Sequence, residues 1–157
     1  MATPPASTVD QDIELFLAVC RTATLATVDP DGRPHAANLQ VVHGPGWSLQ
    51  WISAPGSAHS RHLQQTPHAA VTLYGHRDEP ATIHGLQLRG AVESPVGIDD
   101  PGWPSLWDRY VAKYRFVAEV PTIRDAAERQ CFYVFRPRWL RWIDNRRGFG
   151  WKIEKDL

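Results

Sequence analysis

A polar stretch near the middle of the chain carries the residues best suited to bind an anion. Three serines, two histidines and an arginine fall within the ten residues 53–62, at a predicted strand end and helix start. Free N–H groups and the helix dipole favour an anion there, and hydroxyl and guanidinium groups add hydrogen-bond donors. A phosphate suits this set, and an ordinary N-capped helix with a solvated polar face is the alternative. The candidate phosphate-binding residues are Ser53, Ser57, His59 and Arg61.

Amide side chains in two predicted strands form a second group of candidates. Asn38 and Gln40 alternate with apolar residues in the second strand, and Gln87 lies opposite the apolar residues of the fifth. The glycines at 85 and 90 weaken a strand unless something approaches closely. Gln87 therefore faces a ligand, a partner chain or solvent. The amides of Asn38 and Gln40 can meet the edge of a heteroaromatic ring.

Other common kinds of site have no support in the sequence. His59 and His62 share a helix face, but no carboxylate or cysteine accompanies them at ligand spacing, so no metal site is predicted. The chain has no Gly-x-Ser-x-Gly elbow, phosphate-binding Gly-x-x-x-x-Gly-Lys loop or dinucleotide-binding fingerprint. We therefore name no catalytic residue.

The apolar periodicity predicts a mainly β fold, a β-barrel with flanking helices. A capping box at Thr8-x-x-Gln11 begins the first helix. Helices also follow at 57–65 and 99–114, while 118–129 is ambiguous. Six strands, mostly connected by hairpins, indicate a small antiparallel barrel. The predicted strands span 23–28, 34–43, 47–53, 69–74, 82–94 and 131–143, and Pro137 requires an edge or a bulge in the last of them.

Length and charge limit the classes of protein that remain. The 157 residues predict one domain at 8–157 behind a flexible arm at 1–7. Seventeen Lys and Arg balance seventeen Asp and Glu, which argues against nucleic-acid binding. No apolar run is long enough for a membrane span, and the N-terminus does not read as a secretory signal. Cys20 and Cys131 are expected to be buried thiols in a reducing cytoplasm.

Three segments in order carry a resemblance to a known family. The sequences TLATVDPDGRPHAANLQVV, WISAPGSAHSRHLQQTPHAAVTLYG and GLQLRGAVE, together covering about residues 12–95, resemble the FMN-binding split-barrel superfamily typified by pyridoxamine 5'-phosphate oxidase. The segment Asp144-Asn145-x-x-Gly148-Phe149-Gly150 is similar to the ending of uncharacterised members rather than of the oxidase. The resemblance implies a six-stranded antiparallel split barrel and an oxidoreductase that acts on a small-molecule substrate. It also implies a homodimer with FMN in the clefts between subunits.

The resemblance also assigns roles to the candidate residues. Ser53 occupies a Thr/Ser position of the family's phosphate site, and Ser57-Ala58-His59 stands where the family has Ser-Arg-Lys. The positive charge would then come from Arg61 or His59. Asn38 and Gln40 would lie near the flavin ring, with strand two contributing mainly backbone groups, and Gln87 would form a second cleft wall. Phe149 and Trp142 are candidates for stacking or dimer contacts, and an ordinary place in the core or at an interface is the alternative.

Two alternatives belong to other classes of protein. One is a non-catalytic module that binds haem or another planar ligand, because the chain has the Trp and His residues to line such a cleft. Haem would need an axial histidine. The other is a dimeric scaffold that has lost its cofactor, which the altered Ser-Arg-Lys position keeps open.

Overall fold

The computed structural model describes residues 8–75 and 79–157. The predicted arm at 1–7 lies outside the described residues. The helices are α1 (Val9–Val19), α2 (Ala58–Gln65), α3 (Trp103–Lys113), α4 (Arg115–Glu119) and α5 (Pro121–Glu128). The strands are β1 (Thr22–Val28), β2 (Pro34–Gln40), β3 (Val42–His43), β4 (Leu49–Ser53), β5 (His68–Gly75), β6 (His84–Val92), β7 (Cys131–Asp144) and β8 (Lys152–Asp156). The helix starting at Thr8 is confirmed, with both hydrogen bonds of its capping box formed.

The strands form one antiparallel sheet that curls into a split barrel. Its order is β2-β1-β5-β6-β7-β4-β3, with β8 paired to the second half of β7. β2 and β3 lie at opposite ends of this order, yet only Val41 separates them in the chain. The sheet must therefore bend round until its two ends meet. The predicted fold class is confirmed. The described residues form eight strands instead of six, because the predicted second strand is divided into β2 and β3 and because β8 was not predicted.

The predicted second strand, 34–43, is wrong in one respect: it is divided at Val41. The Val41 N–H still donates to Arg21 O at the end of the β1–β2 ladder, but Val42 pairs with Gln50 of β4. The hydroxyl of Tyr114, a fully buried residue, reaches both Val41 O at 2.9 Å and Arg21 O at 2.7 Å. The chain therefore passes from one edge of the sheet to the other at Val41. The hydroxyl of Tyr114, at the C-terminus of α3, holds the backbone at this point.

The long strand β7 changes partners along its length. β4 pairs with Cys131–Phe135 and β8 pairs with Trp139–Ile143, so Pro137, which has no N–H, lies between the two pairings. The register with β6 shifts between Arg89 and Gly90, opposite Pro137, as the predicted bulge requires. A Cβ on Gly90 would lie 2.0 Å from Arg136 O, and one on Gly85 would lie 2.6 Å from Leu73 O. Neighbouring backbone, not a ligand, therefore explains these two glycines.

Two apolar cores hold the elements together. The barrel interior contains α1 residues and alternate residues of β1 and β4 to β7, among them Trp51 and Trp142, which are 1% and 0% exposed. A second core lies between helices α3 to α5 and the other face of β4 and β7, centred on Tyr114 and Phe132. Cys20 and Cys131 are free and half-buried.

Candidate functional site

A cluster of hydroxyl and imidazole groups lies where β4 ends and α2 begins. The His59 Nε2 atom is 2.9 Å from the Ser53 hydroxyl and 3.2 Å from the Ser57 hydroxyl. Ser57 in turn donates to the Ser60 hydroxyl at 2.8 Å. Ser53, His59 and Ser60 are buried, whereas Ser57 is half-exposed. Three of the four residues proposed for the phosphate therefore form one connected set.

Local sequence explains why these side chains meet. Ser57 is the N-cap of α2 and accepts the Ser60 N–H, which fixes the first turn of the helix. Ala58 and His59 are the first two residues of α2, so their N–H groups have no acceptor within the helix. Ser53 alternates with Leu49 and Trp51, so it faces the same side of β4 as those core residues. The turn 54–57 then folds His59 back over Ser53.

The surroundings of His59 favour the uncharged form of its imidazole. Burial lowers the pKa of its imidazole, and His35 and His62 lower it further. Among the described residues, no carboxylate contacts the ring to restore the charge. Neutral imidazole can accept or donate at Nε2 according to its tautomer.

Arg61 is exposed and sits on the rim of the cluster. Its guanidinium donates to the carbonyl of Gly56, in the turn that connects β4 to α2. In the described part of the chain Arg61 has no ion pair with a carboxylate. Its charge therefore remains available beside the three buried side chains.

Several residues of this neighbourhood were not among the residues predicted for the phosphate site. The His62 ring lies 5.4 Å from the His35 ring, and its Nδ1 is 3.0 Å from the Thr27 hydroxyl, which ties α2 to the β1–β2 hairpin. Tyr133 borders Ser60 and is 1% exposed. No local pattern could have found His35 or Tyr133, because they are distant in the sequence. Ser60 follows the N-cap by three residues, a spacing that could have indicated it.

Asn38 and Gln40 lie on an exposed edge strand next to this cluster. The Asn38 side chain accepts a hydrogen bond from Thr24 at 2.9 Å. The alternation that places Val41 N–H on Arg21 leaves the backbone groups of Ala36, Asn38 and Gln40 pointing away from β1. No strand of the described residues pairs with that edge of β2. The edge therefore offers a row of free N–H and C=O groups.

Gln87 lies on the outer face of the sheet, away from the hydroxyl–imidazole cluster. The register places it in one row across six neighbouring strands, whose members are Asn38, Thr24, Thr72, Gln87, Arg141 and Glu154. Arg141 donates to Gln87 at 3.2 Å and to Glu154 at 2.6 Å. Asn38 and Gln87 thus share one surface but occupy different parts of it.

Two adjoining hollows lie on this outer face. One of about 400 Å³ contains Gln87 and Arg141, and another of about 630 Å³ contains His68 and Arg138. Both are bordered by Trp139, whose ring stacks under the Arg89 guanidinium at 3.9 Å. A further hollow of about 970 Å³, between α1, Trp47 and the end of the chain, contains none of the predicted site residues.

The proposed roles of Trp142 and Phe149 have different outcomes. Trp142 is completely buried in the barrel core, edge-on to Phe16, so the suggestion that it stacks on a ligand or partner is wrong. Phe149 is 88% exposed in the turn between β7 and β8. Gly148 and Gly150 on either side have φ values of 140° and 76°, which only glycine adopts readily. Phe149 remains a candidate for an intermolecular contact.

Comparison with known proteins shows the family. Residues 9–142 match the family model described as pyridoxamine 5'-phosphate oxidase, and the chain belongs to this family. A pyridoxine/pyridoxamine 5'-phosphate oxidase of Pseudomonas entomophila (strain L48) is 30% identical over 102 residues, which are 57% of this chain and 46% of that protein. The chain therefore spans less than half the length of this curated relative.

Solved structures agree with the fold. A conserved hypothetical protein from Mycobacterium tuberculosis superposes with a TM-score of 0.71 and 22% identity, covering 93% of this chain and 91% of the other. A heme-binding protein from Mycobacterium smegmatis gives a TM-score of 0.73 and 18% identity, covering 96% of this chain and 59% of the other. In the described residues, no helix is long and apolar enough to cross a membrane, and no group of three potential ligands is placed to hold a metal ion.

Proposed function

We propose that this protein is an FMN-binding oxidoreductase that works as a homodimer on a small-molecule substrate. The observation that carries the proposal is that α2, which begins at the hydroxyl–imidazole cluster, contacts β2 through the rings of His62 and His35, and that β2 has an unpaired edge in the described chain. An anion site next to a row of unpaired backbone groups suits a ligand with a phosphate at one end and a flat hydrogen-bonding ring at the other.

The cluster fits a phosphate monoester by its chemistry. Ser53 and Ser57 supply hydroxyl groups, the first turn of α2 supplies free N–H groups, and Arg61 supplies a permanent charge beside them. No described acidic side chain contacts these groups, so nothing in the cluster would repel an anion. Phosphate oxygens would replace the mutual hydrogen bonds that the serines now form.

The edge of β2 fits a ring with alternating donors and acceptors. Ala36, Asn38 and Gln40 present backbone N–H and C=O groups to it, and the Asn38 and Gln40 side chains lie on the adjoining outer face. With a rise of about 3.4 Å per residue, Asn38 lies about 10 Å along the strand from His35, which contacts α2. The ligand must therefore be elongated, as a ribityl phosphate joined to an isoalloxazine is.

When bound, FMN would supply hydride and electron transfer. This chain's own residues would then bind and orient the cofactor. A second copy is expected to cover the outer face around Gln87 and exclude water from the ring. Phe149, which is 88% exposed, is an aromatic residue that could reach the partner.

The proposal is tested by flavin retention. The purified protein is mixed with FMN, desalted and its visible spectrum recorded, and we expect a flavin spectrum close to one per chain. Replacing Ser57→Ala and Arg61→Ala together removes two hydrogen-bonding groups, each worth about 1.5–3 kcal/mol to a charged ligand, so the affinity should fall at least a hundredfold.

A matched control separates binding from folding. Ser57→Ala also removes the α2 N-cap, which costs about 1 kcal/mol of stability. Thr8→Ala removes the equivalent cap of α1, and Arg33→Ala removes an exposed arginine in the β1–β2 turn. That control pair should retain FMN. Undiminished retention in the Ser57/Arg61 variant would refute these assignments.

The second candidate is a haem-binding protein, and the larger outer-face hollow favours it. Its lining includes the apolar residues Ala26, Val28 and Ala70 and also Arg89 and Arg138, which could pair with propionates. His68, in the same hollow, is an exposed histidine able to serve as an axial ligand. The heme-binding function named for the M. smegmatis neighbour supports the same candidate.

Haem titration tests this candidate directly. If it is correct, the protein develops a Soret band at one haem per chain or per dimer, and His68→Ala shifts or abolishes it. His43→Ala, which alters a histidine on β3 away from the hollow, serves as the control. If no single histidine substitution changes the spectrum of bound haem, axial ligation by His68 is wrong.

A further inference from the structure

The buried centre of the candidate anion site, at the start of α2, has no permanent positive charge. Arg61 lies on the rim, but the buried centre of the cluster holds His59, a group with no permanent charge. His59 touches the hydroxyls of both Ser53 and Ser57 through a single atom, Nε2. Any anion that engages these two serines must therefore come close to that same nitrogen.

We propose that His59 is a proton-coupled phosphate ligand: a phosphate monoester binds at this cluster together with one proton from solvent, which converts His59 from imidazole to imidazolium. This inference rests on the proposed function, because FMN is the phosphate monoester considered. The balance is simple. The free protein, the dianion and one proton combine into one complex, and loss of the proton weakens the hold on the anion.

The surroundings of His59 explain why it is neutral without a ligand. Burial disfavours the charged form of His59, which is 9% exposed, and the neighbouring His35 of β2 and His62 of α2 disfavour it further. Ser53 of β4 and Ser57, the N-cap of α2, face it with uncharged hydroxyls, and Ser57 donates in turn to Ser60. Arg61 adds positive charge on the rim. From β7, Tyr133 lies beside Ser60, and Cys131 is the strand partner of Ser53. Glu93 lines the same hollow as Ser60 and Tyr133 but is paired with Arg136, and no described carboxylate contacts His59 to favour the imidazolium form.

An adjacent phosphate reverses this balance. Burial and like charges disfavour imidazolium, and a dianion within a few ångströms favours it. The histidine pKa is therefore below its ordinary value in the free protein and rises on binding. By linkage, affinity is greatest at low pH and falls by up to tenfold per pH unit between the free and bound pKa values.

The experiment compares FMN with riboflavin, which lacks the phosphate. Flavin fluorescence gives the dissociation constant of each between pH 6.5 and 8.5, above the second phosphate pKa of about 6. We expect the FMN dissociation constant to rise several-fold or more across this range, while riboflavin stays flat. His59→Gln keeps a polar side chain but cannot titrate, so its FMN affinity should lose the pH dependence. His43→Gln, on β3, should keep it.

A second measurement needs no flavin. Histidine ring signals are followed by NMR against pH, with and without inorganic phosphate. We expect one resonance, identified as His59 by its loss in His59→Gln, to titrate at higher pH when phosphate is present. If that resonance does not move, or FMN affinity is independent of pH, the inference is wrong although FMN binding itself stands. If neither flavin binds and phosphate shifts no histidine, the proposed function and the inference both fall.

Discussion

The buried hydroxyl of Tyr114 allows a quantitative test of how the barrel closes. It lies between two backbone carbonyls, those of Val41 and Arg21, at the point where the chain leaves β2 and enters β3. Arg21 O also accepts the Val41 N–H, so it keeps one partner without the tyrosine. Val41 O is the acceptor that Tyr114→Phe would leave without this donor.

The expected loss of stability in Tyr114→Phe follows from the carbonyl of Val41, which loses this donor. Leaving one buried carbonyl without its partner costs about 1–2 kcal/mol, while the unchanged ring keeps its packing in the second core. For a chain of this size the midpoint of thermal unfolding should fall by about 2–8 °C. Circular dichroism melts and urea titrations of Tyr114→Phe measure both quantities.

Tyr110 supplies the control for this substitution. It lies one helical turn earlier, is 6% exposed and packs its ring against Tyr114 at 4.9 Å. In the described part of the structure its hydroxyl has no hydrogen-bond partner, and burial, with Tyr114 nearby, raises its pKa to about 12. Tyr110→Phe should therefore change stability by less than about 0.5 kcal/mol. Equal losses in the two variants, or none in Tyr114→Phe, would refute the argument.

Three further substitutions test other parts of the fold. Gly90→Ala places a Cβ 2.0 Å from Arg136 O and should cost about 3 kcal/mol or prevent folding, whereas Gly56→Ala meets nothing within 4 Å and should be nearly neutral by urea titration. Trp142→Ala should cost about 3–5 kcal/mol because its ring is fully buried, while Phe149→Ala should leave the melting temperature unchanged. Burial raises the pKa of Asp144, but its bonds to Arg146 outweigh this and hold it below its ordinary value. A lowered pKa stabilises the fold above the unfolded carboxyl's pKa, and this stabilisation is lost as pH falls through the folded value. Unfolding titrations from pH 6 to 3 should show a smaller acid loss for Asp144→Asn than for the unchanged protein.

The strands were predictable because one face of each is buried. Alternation in β1 puts Ala23, Leu25 and Thr27 inside, and this pattern is visible in the sequence without any partner. The cap of α1 was equally local, since Thr8 and Gln11 satisfy each other. β8 was not predicted, because its five residues are mostly exposed and gain their pairing only from β7.

One part of the candidate site was likewise predictable from local sequence, and another part was not. Ser53, Ser57 and His59 lie within seven residues, so a strand end followed by a capped helix was enough to bring them together. Their mutual hydrogen bonds were not predicted, nor was the approach of His35, which depends on how α2 packs against the β1–β2 hairpin. Gln87 was expected near the same ligand, but the structure places it on the outer face, where a second subunit would have to complete the site.

The break at Val41 connects the fold to the proposed function. Had β2 continued through residue 43 as one strand, its residues would have stayed on one sheet edge. Instead β3 carries only Val42 and His43 to β4, which leaves Trp51, Ile52 and Ser53 of β4 without a partner on that side in the described chain. The free edge of β2 and the Ser53 end of β4 therefore arise from one chain crossing. The opening that would admit a ligand is thus a consequence of how the barrel closes. The hydrogen bonds of Tyr114 stabilise the chain crossing that produces both the closure and the opening.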